Sequence, residues 1–122
     1  MRLARLFWAT KIVLSVIGRQ NVPDKVIRQQ LASAIHLVVQ CSRMSDGTRK
    51  VTGIAEVIGV AKDHVEMQDL FEFERIGISP RGKVVGRFKG CGAESKCLDR
   101  LRGYGVHLSK SIFNEVVEVQ DK

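Results

Sequence analysis

A chain of 122 residues, 44% hydrophobic and 27% charged, is long enough for one domain with a modest core and too mixed in composition to be disordered or fibrous. Its net charge of +7 is the outlying number and suits an acidic partner, head-to-tail self-association or nucleic acid. Cys41, Cys91 and Cys97 are odd in number and lack CxxC spacing, which argues against a disulfide framework or a structural zinc site and fits a reducing compartment.

The first stretch, MRLARLFWATKIVLSVIG, places Leu3, Leu6, Phe7, Val13, Leu14 and Ile17 at helical spacing, so residues 1–20 are expected to form an amphipathic helix. Lys11 interrupts the apolar run and no small-x-small cleavage site follows, so a secretory signal is not expected. The run is also too short and too charged to span a bilayer. Packing against this protein or a partner is the expectation, and Trp8 among Arg2, Arg5 and Lys11 would also suit a membrane surface.

Asn21-Val-Pro-Asp24 is a break and a helix start. The helix that follows has Ile27, Leu31, Ala34 and Ile35 on one apolar stripe. His36 to Met44 then reads as a strand, in which Cys41 alternates with Val39 and is expected to be a small buried residue. Asp46-Gly47 turns the chain, and Thr48 to Val60 returns as a second strand, covered on both faces near its end. After Gly59-Val-Ala-Lys-Asp63, His64 to Glu74 alternates with Val65, Met67, Phe71 and Phe73 on one side. Asp69 and Leu70 break that alternation, where a bulge is expected.

Ser79-Pro-Arg-Gly82 is the next turn and Lys83 to Lys89 the fourth strand of an antiparallel meander. A short helix over about 94–102 is expected to bury Cys97, Leu98 and Leu101 and to stop at Gly103. Ser109 caps a last turn carrying Ile112 and Phe113. Residues 114–122 read as a polar, frayed tail. Charge is uneven along this path: 56–74 holds six acidic residues against Lys62, and 81–102 holds seven basic residues against Glu94 and Asp99.

Nucleotide hydrolysis needs a phosphate cradle such as GxxxxGK[ST], because successive backbone N–H groups and a lysine must surround the phosphates while a hydroxyl holds magnesium. The chain contains none. Gly82-Lys83 is followed by Val84 at a hairpin. No GxSxG elbow occurs and no cysteine has a convincing base near it, so no catalytic residue is assigned. The residues alone imply a basic α-and-β domain without a self-contained active site.

The segments IRQQLASAIHLVVQCSRMSDGTRKVTGIAEVIGV, QDLFEF, GRFKGCG and CLDRLRGYGVHL occur in an order and spacing that resembles the C-terminal part of the CpaF or TadA group of type II/IV secretion and pilus-assembly ATPases, relatives of VirB11-type motors. The resemblance covers about residues 21–113, three quarters of the chain, and is loose before Asn21. It implies an α/β fold, the C-terminal portion of a RecA-like P-loop ATPase domain: N-terminal helices, an antiparallel meander of about four strands, and short C-terminal helices.

By the same resemblance, Arg43 and Arg49 would be nucleotide-proximal or at a subunit interface, where a planar, permanently charged fork can grip phosphate or carboxylate. Glu56 would serve a structural pairing with a basic residue rather than catalysis. The family carries its phosphate loop, magnesium carboxylates and histidine box upstream, so the chain is expected to be a separated C-terminal piece that holds neither ATP, Mg nor any other metal alone. Implied partners are an ATPase N-terminal half or the neighbouring subunits of a homo-hexamer, and the secretion platform at the inner membrane, with the chain cytoplasmic or peripheral there. The rival reading is a small single-stranded nucleic-acid-binding domain using the basic run and Phe71, Phe73 and Phe88. The alternation disfavours it, because it sends Phe71 and Phe73 inward.

Overall fold

The computed structural model describes residues 24–61 and 64–119, so the amphipathic helix expected over residues 1–20 lies outside the described residues. Helix α1, Asp24–Ala34, begins directly after Pro23. It buries Ile27 and Leu31, one turn apart, and Ile35 N–H still donates to Leu31 O at 2.9 Å. Ala34, expected on the same stripe, is exposed. Beyond it the β-branched pair Val38 and Val39 favours extended backbone.

Five strands follow: β1 Leu37–Arg43, β2 Arg49–Ala61, β3 His64–Ile78, β4 Val84–Gly90 and β5 Val116–Val119. They lie in the sheet in chain order, β1-β2-β3-β4-β5. The first three connections span residues 44–48, 62–63 and 79–83, and links that short can only join antiparallel neighbours, since a parallel pair needs a crossover of roughly a dozen residues or more. The expected fold class is corrected accordingly. The described residues make a five-stranded antiparallel sheet with two short helices, not an α/β portion of a RecA-like domain. Where a frayed tail was expected beyond Asn114, β5 pairs with β4, placing Val117 opposite Phe88 and Glu118 opposite Arg87.

The chain divides into two compact units. The described part of the first comprises residues 24–37, 57–61 and 64–68; its buried apolar residues are Ile27, Leu31 and Val65, and Val57 N–H donates to His36 O at 2.9 Å. The second comprises residues 38–56 and 69–119 of those described. Between β4 and β5 it carries helix α2, Cys97–Gly103, and a 3-10 turn, η1, over Lys110–Asn114, whose first N–H groups are met by Ser109 Oγ accepting from Ser111 N. Leu98 from α2, Phe113 from η1 and Leu70 from β3 form its buried cluster, with Ile54, Phe71 and Ile112 packed against them. Cys97 and Leu101, expected inside with Leu98, are half-buried.

Strand alternation sorts the second unit's sheet into two kinds of face. Phe73 pairs with Phe88, and Phe88 with Val117. The Phe71 ring stacks on Phe88 with centroids 5.8 Å apart and tilts against Phe113 at 5.7 Å. The alternate positions carry charge: Arg87 Nε lies 2.6 Å from Glu74, and Lys89 Nζ lies 3.4 Å from Glu72 and 3.5 Å from Glu74. These pairs are about a third to two fifths exposed, so solvent screening keeps their contribution to stability small. The β3–β4 register slips between Arg75 and Gly77, leaving Ile76 as an additional, exposed residue.

Cys41 is exposed, as is Val39 at 52%. The period of β1 is as expected but its phase is the opposite one. The half-buried positions are Val38, Gln40 and Ser42, and Ser42 Oγ meets Thr52 Oγ1 at 3.3 Å. A strand at the edge of a sheet can satisfy polar groups on its covered side and still leave apolar ones in water.

Candidate functional site

The β1–β2 turn is fixed by one aspartate. Gly47 N–H donates to Met44 O at 3.0 Å and Met44 N–H to Thr48 O at 2.7 Å, with Gly47 at a φ of 84°, a backbone angle that favours glycine. Asp46 Oδ1 accepts from Thr48 N at 2.8 Å and Thr48 Oγ1 at 2.6 Å. Its other oxygen, Oδ2, accepts from Val84 N at 2.7 Å, 38 residues along the chain. The tip of one hairpin is thereby tied to the first residue of β4, whose side chain is buried.

These hydrogen bonds, first that of the Thr48 hydroxyl, then those of the Val84 and Thr48 amides, hold the Asp46 carboxyl well below the usual carboxylate range, with Lys83 adding to them and partial desolvation opposing. A group depressed in the folded state contributes stability that is fully present above its unfolded value, about 4, and is lost as the pH falls below that. Urea unfolding at pH 6 and pH 3 is therefore expected to show a smaller acid-induced loss in Asp46→Asn than in the parent chain, and a weaker protein at pH 6. Equal acid sensitivity of the two would remove Asp46 as the brace. Glu74 is also held low, chiefly by its hydrogen bond from Arg87, so part of the acid sensitivity persists in the variant.

Arg43 closes β1 and Arg49 opens β2, and both are exposed. The Arg43 guanidinium lies over the turn, near Gly47. Neither guanidinium has a hydrogen bond or ion pair among the described residues, and the same holds for the Lys50 ammonium. Arg49 and Lys50 also border an open depression of roughly 430 Å³ whose other walls are Val51, Ile54, Phe73, Phe88 and Val119. Sequence reading assigned no role to Lys50 or Val119 and sent Phe73 inward. Only the pairing of β2, β3, β4 and β5 brings these walls together.

Glu56 is 2% exposed. It accepts hydrogen bonds from Ser95 Oγ at 2.9 Å, Lys96 N at 3.1 Å and Cys97 N at 3.2 Å, and the Cys97 thiol lies at 3.3 Å. The carboxylate occupies the place of a cap for α2, a helix with no side-chain cap of its own. Where the resemblance implied a basic partner, these partners are a hydroxyl, backbone amides and a thiol at a helix start.

Gly82 sits in a turn closed by its N–H on Ser79 O at 2.8 Å, and strand β4, not a helix, follows Lys83. No group of three or more His, Cys, Asp or Glu among the described residues is arranged to hold a metal ion. His36 and His64 are both exposed. No helix among the described residues is long and apolar enough to cross a membrane. No protein-family model matches the chain, and a search of curated proteins finds no match to it.

Proposed function

We propose that the chain is a non-hydrolytic interaction segment of a CpaF/TadA-type secretion or pilus-assembly ATPase, lending contacts to the ring and one wall beside the nucleotide. The observation that carries this reading is a braced hairpin tip bearing two exposed arginines, Arg43 and Arg49, with no ion pair among the described residues. Arginine held at a fixed turn loses little freedom on gripping a carboxylate or phosphate of another molecule. ATP and magnesium belong to the partner: an N-terminal half or the neighbouring subunits of a hexamer, at the cytoplasmic face of the inner membrane.

The purified chain is expected to bind a complete CpaF/TadA-type ATPase in sedimentation or co-purification, and the double variant Arg43→Ala/Arg49→Ala to bind it at least about tenfold more weakly, as for arginines at the centre of an interface. Magnesium-dependent ATP hydrolysis by the chain alone, or undiminished binding by the double variant, would overturn the reading.

A second reading, binding of single-stranded nucleic acid, is favoured by one observation: Phe73 and Phe88 line an open depression beside Arg49 and Lys50. Against it, Phe71 is packed on Phe88 and Phe113, and Arg87 is engaged by Glu74. Salt-sensitive binding of an oligothymidylate, abolished by Arg49→Ala/Lys50→Ala, would favour it over the first.

A further inference from the structure

We infer that the depression between Arg49, Lys50, Phe73, Phe88 and Val119 is a docking site for an acidic peptide segment that inserts one large apolar side chain, aromatic by preference. The inference rests on the reading of the chain as an interaction segment and names what its partner must present.

Three observations fix that chemistry. The floor and walls are apolar: Val51, Ile54, Phe73, Phe88 and Val119 supply them. At roughly 430 Å³ the space exceeds the about 150 Å³ in which a closed cavity accepts a benzene ring, so a ring enters with neighbouring backbone to spare. Its mouth is open, which suits a side chain carried on a peptide better than a small molecule that must be enclosed on most sides.

The charge around it is unmatched in one sign. On β4, Arg87 is paired with Glu74, and Lys89 with Glu72 and Glu74. Arg49 and Lys50 at the mouth, and Arg43 on the same hairpin, have no carboxylate partner among the described residues. The aspartate of that hairpin, Asp46, is consumed by Thr48 and Val84. A partner that brings its own carboxylates beside an apolar anchor would satisfy both features, whereas a basic amphipathic segment would meet repulsion.

The site also has a rigid base. Phe88 is stacked by Phe71, which in turn leans on buried Phe113, and the Phe73 ring lies over Gly86, where any β-carbon would collide with it. Walls held in this way need no reordering when a guest side chain arrives.

The test uses the full chain and blocked synthetic peptides: Asp-Glu-Phe-Glu-Asp, the same peptide with Ala for Phe, and Lys-Lys-Phe-Lys-Lys. Calorimetry and amide NMR shifts are read together. The acidic Phe peptide is expected to bind saturably, moving the amides of Lys50, Val51, Ile54 and Val119, and the Ala peptide to bind much less. Arg49→Glu/Lys50→Glu, at one exposed and one half-buried position, should weaken the acidic peptide roughly tenfold or more, two attractions becoming two repulsions, with an unchanged urea midpoint showing that the fold is kept. The same variant should gain binding of the basic Phe peptide.

Equal binding of the Phe and Ala peptides, shifts confined to another surface, or no saturable binding would overturn the proposal. So would displacement of nothing by the peptide while an oligothymidylate shifts the same amides. Binding of the ATPase without binding of the peptide sinks this inference and leaves the proposed function standing. The reverse result sinks the function and leaves the site.

Discussion

Replacing Glu56 with alanine is expected to cost the second unit about 3 kcal/mol, one of the two largest single-residue effects foreseen for this chain. Helix α2 has seven residues, too few to persist on its own. Two things hold it in place: Leu98, buried in the core cluster, and the Glu56 carboxylate at its start. Deleting the carboxylate leaves Ser95 Oγ and the Lys96 and Cys97 amides without that acceptor, and each buried donor left unmet costs roughly 1–3 kcal/mol. The total is kept near the lower end of the sum because Lys96 lies at the surface, where water can enter, and Cys97 N–H keeps a contact with Ser95 Oγ at 3.0 Å. Glu56→Gln retains one acceptor and should lose less. Urea unfolding measures the loss, and amide exchange over residues 95–103 locates it. A loss for the alanine variant below about 1 kcal/mol, the worth of one ordinary hydrogen bond, would mean that α2 is held by Leu98 alone.

Gly90→Ala is the second. A β-carbon at Gly90 would overlap the carbonyl of Phe113, which is backbone and cannot swing aside. The same crossing carries Gly90 N–H on Glu115 O and Gly92 N–H on Phe113 O, both at 2.8 Å. One methyl group must therefore push η1 off β4, break these bonds and unseat the buried Phe113 ring. The cost should exceed the roughly 1–3 kcal/mol of ordinary overpacking and approach the about 3–5 kcal/mol of losing a core phenylalanine. Gly59→Ala is the control, since nothing lies within 4 Å of the added carbon, and it should melt like the parent. If Gly90→Ala and Gly59→Ala show the same melting temperature and the same near-ultraviolet circular dichroism, the close crossing is not present in solution.

The two predictions share a feature with the proposed docking site: each depends on residues far apart in the chain. Glu56 and Ser95 are 39 residues apart, Gly90 meets Phe113 and Glu115 from beyond α2, and the separate brace of Asp46 on Val84 spans 38 residues. That separation explains which parts of the molecule could be read without a structure. The Asp46-Gly47 turn, the start of α1 after Pro23 and the Ser109 cap were all legible, because each is set by chemistry within a few residues. Strand periods were legible for the same reason. The partners of Glu56 were not legible, since nothing in its own neighbourhood names Ser95, Lys96 and Cys97.

The expectation of a RecA-like α/β portion failed on a different ground. It came with the family resemblance, while the short links between strands already demanded antiparallel pairing. Motif residues describe local environments and say little about how strands are wound.

By itself, then, the sequence determined where the chain turns between residues 24 and 103, which stretches there are extended or helical, that no phosphate loop accompanies Arg43 and Arg49, and that the protein is basic. The tertiary structure alone decided that Val39 and Cys41 face water, that residues 116–119 close the sheet against β4, that Asp46 is tied to Val84, and that Phe73, Phe88 and Val119 meet Arg49 and Lys50 around one depression. The reason is physical. A strand's alternation defines two faces equally well, and only the partners that arrive from distant segments choose which of them is buried.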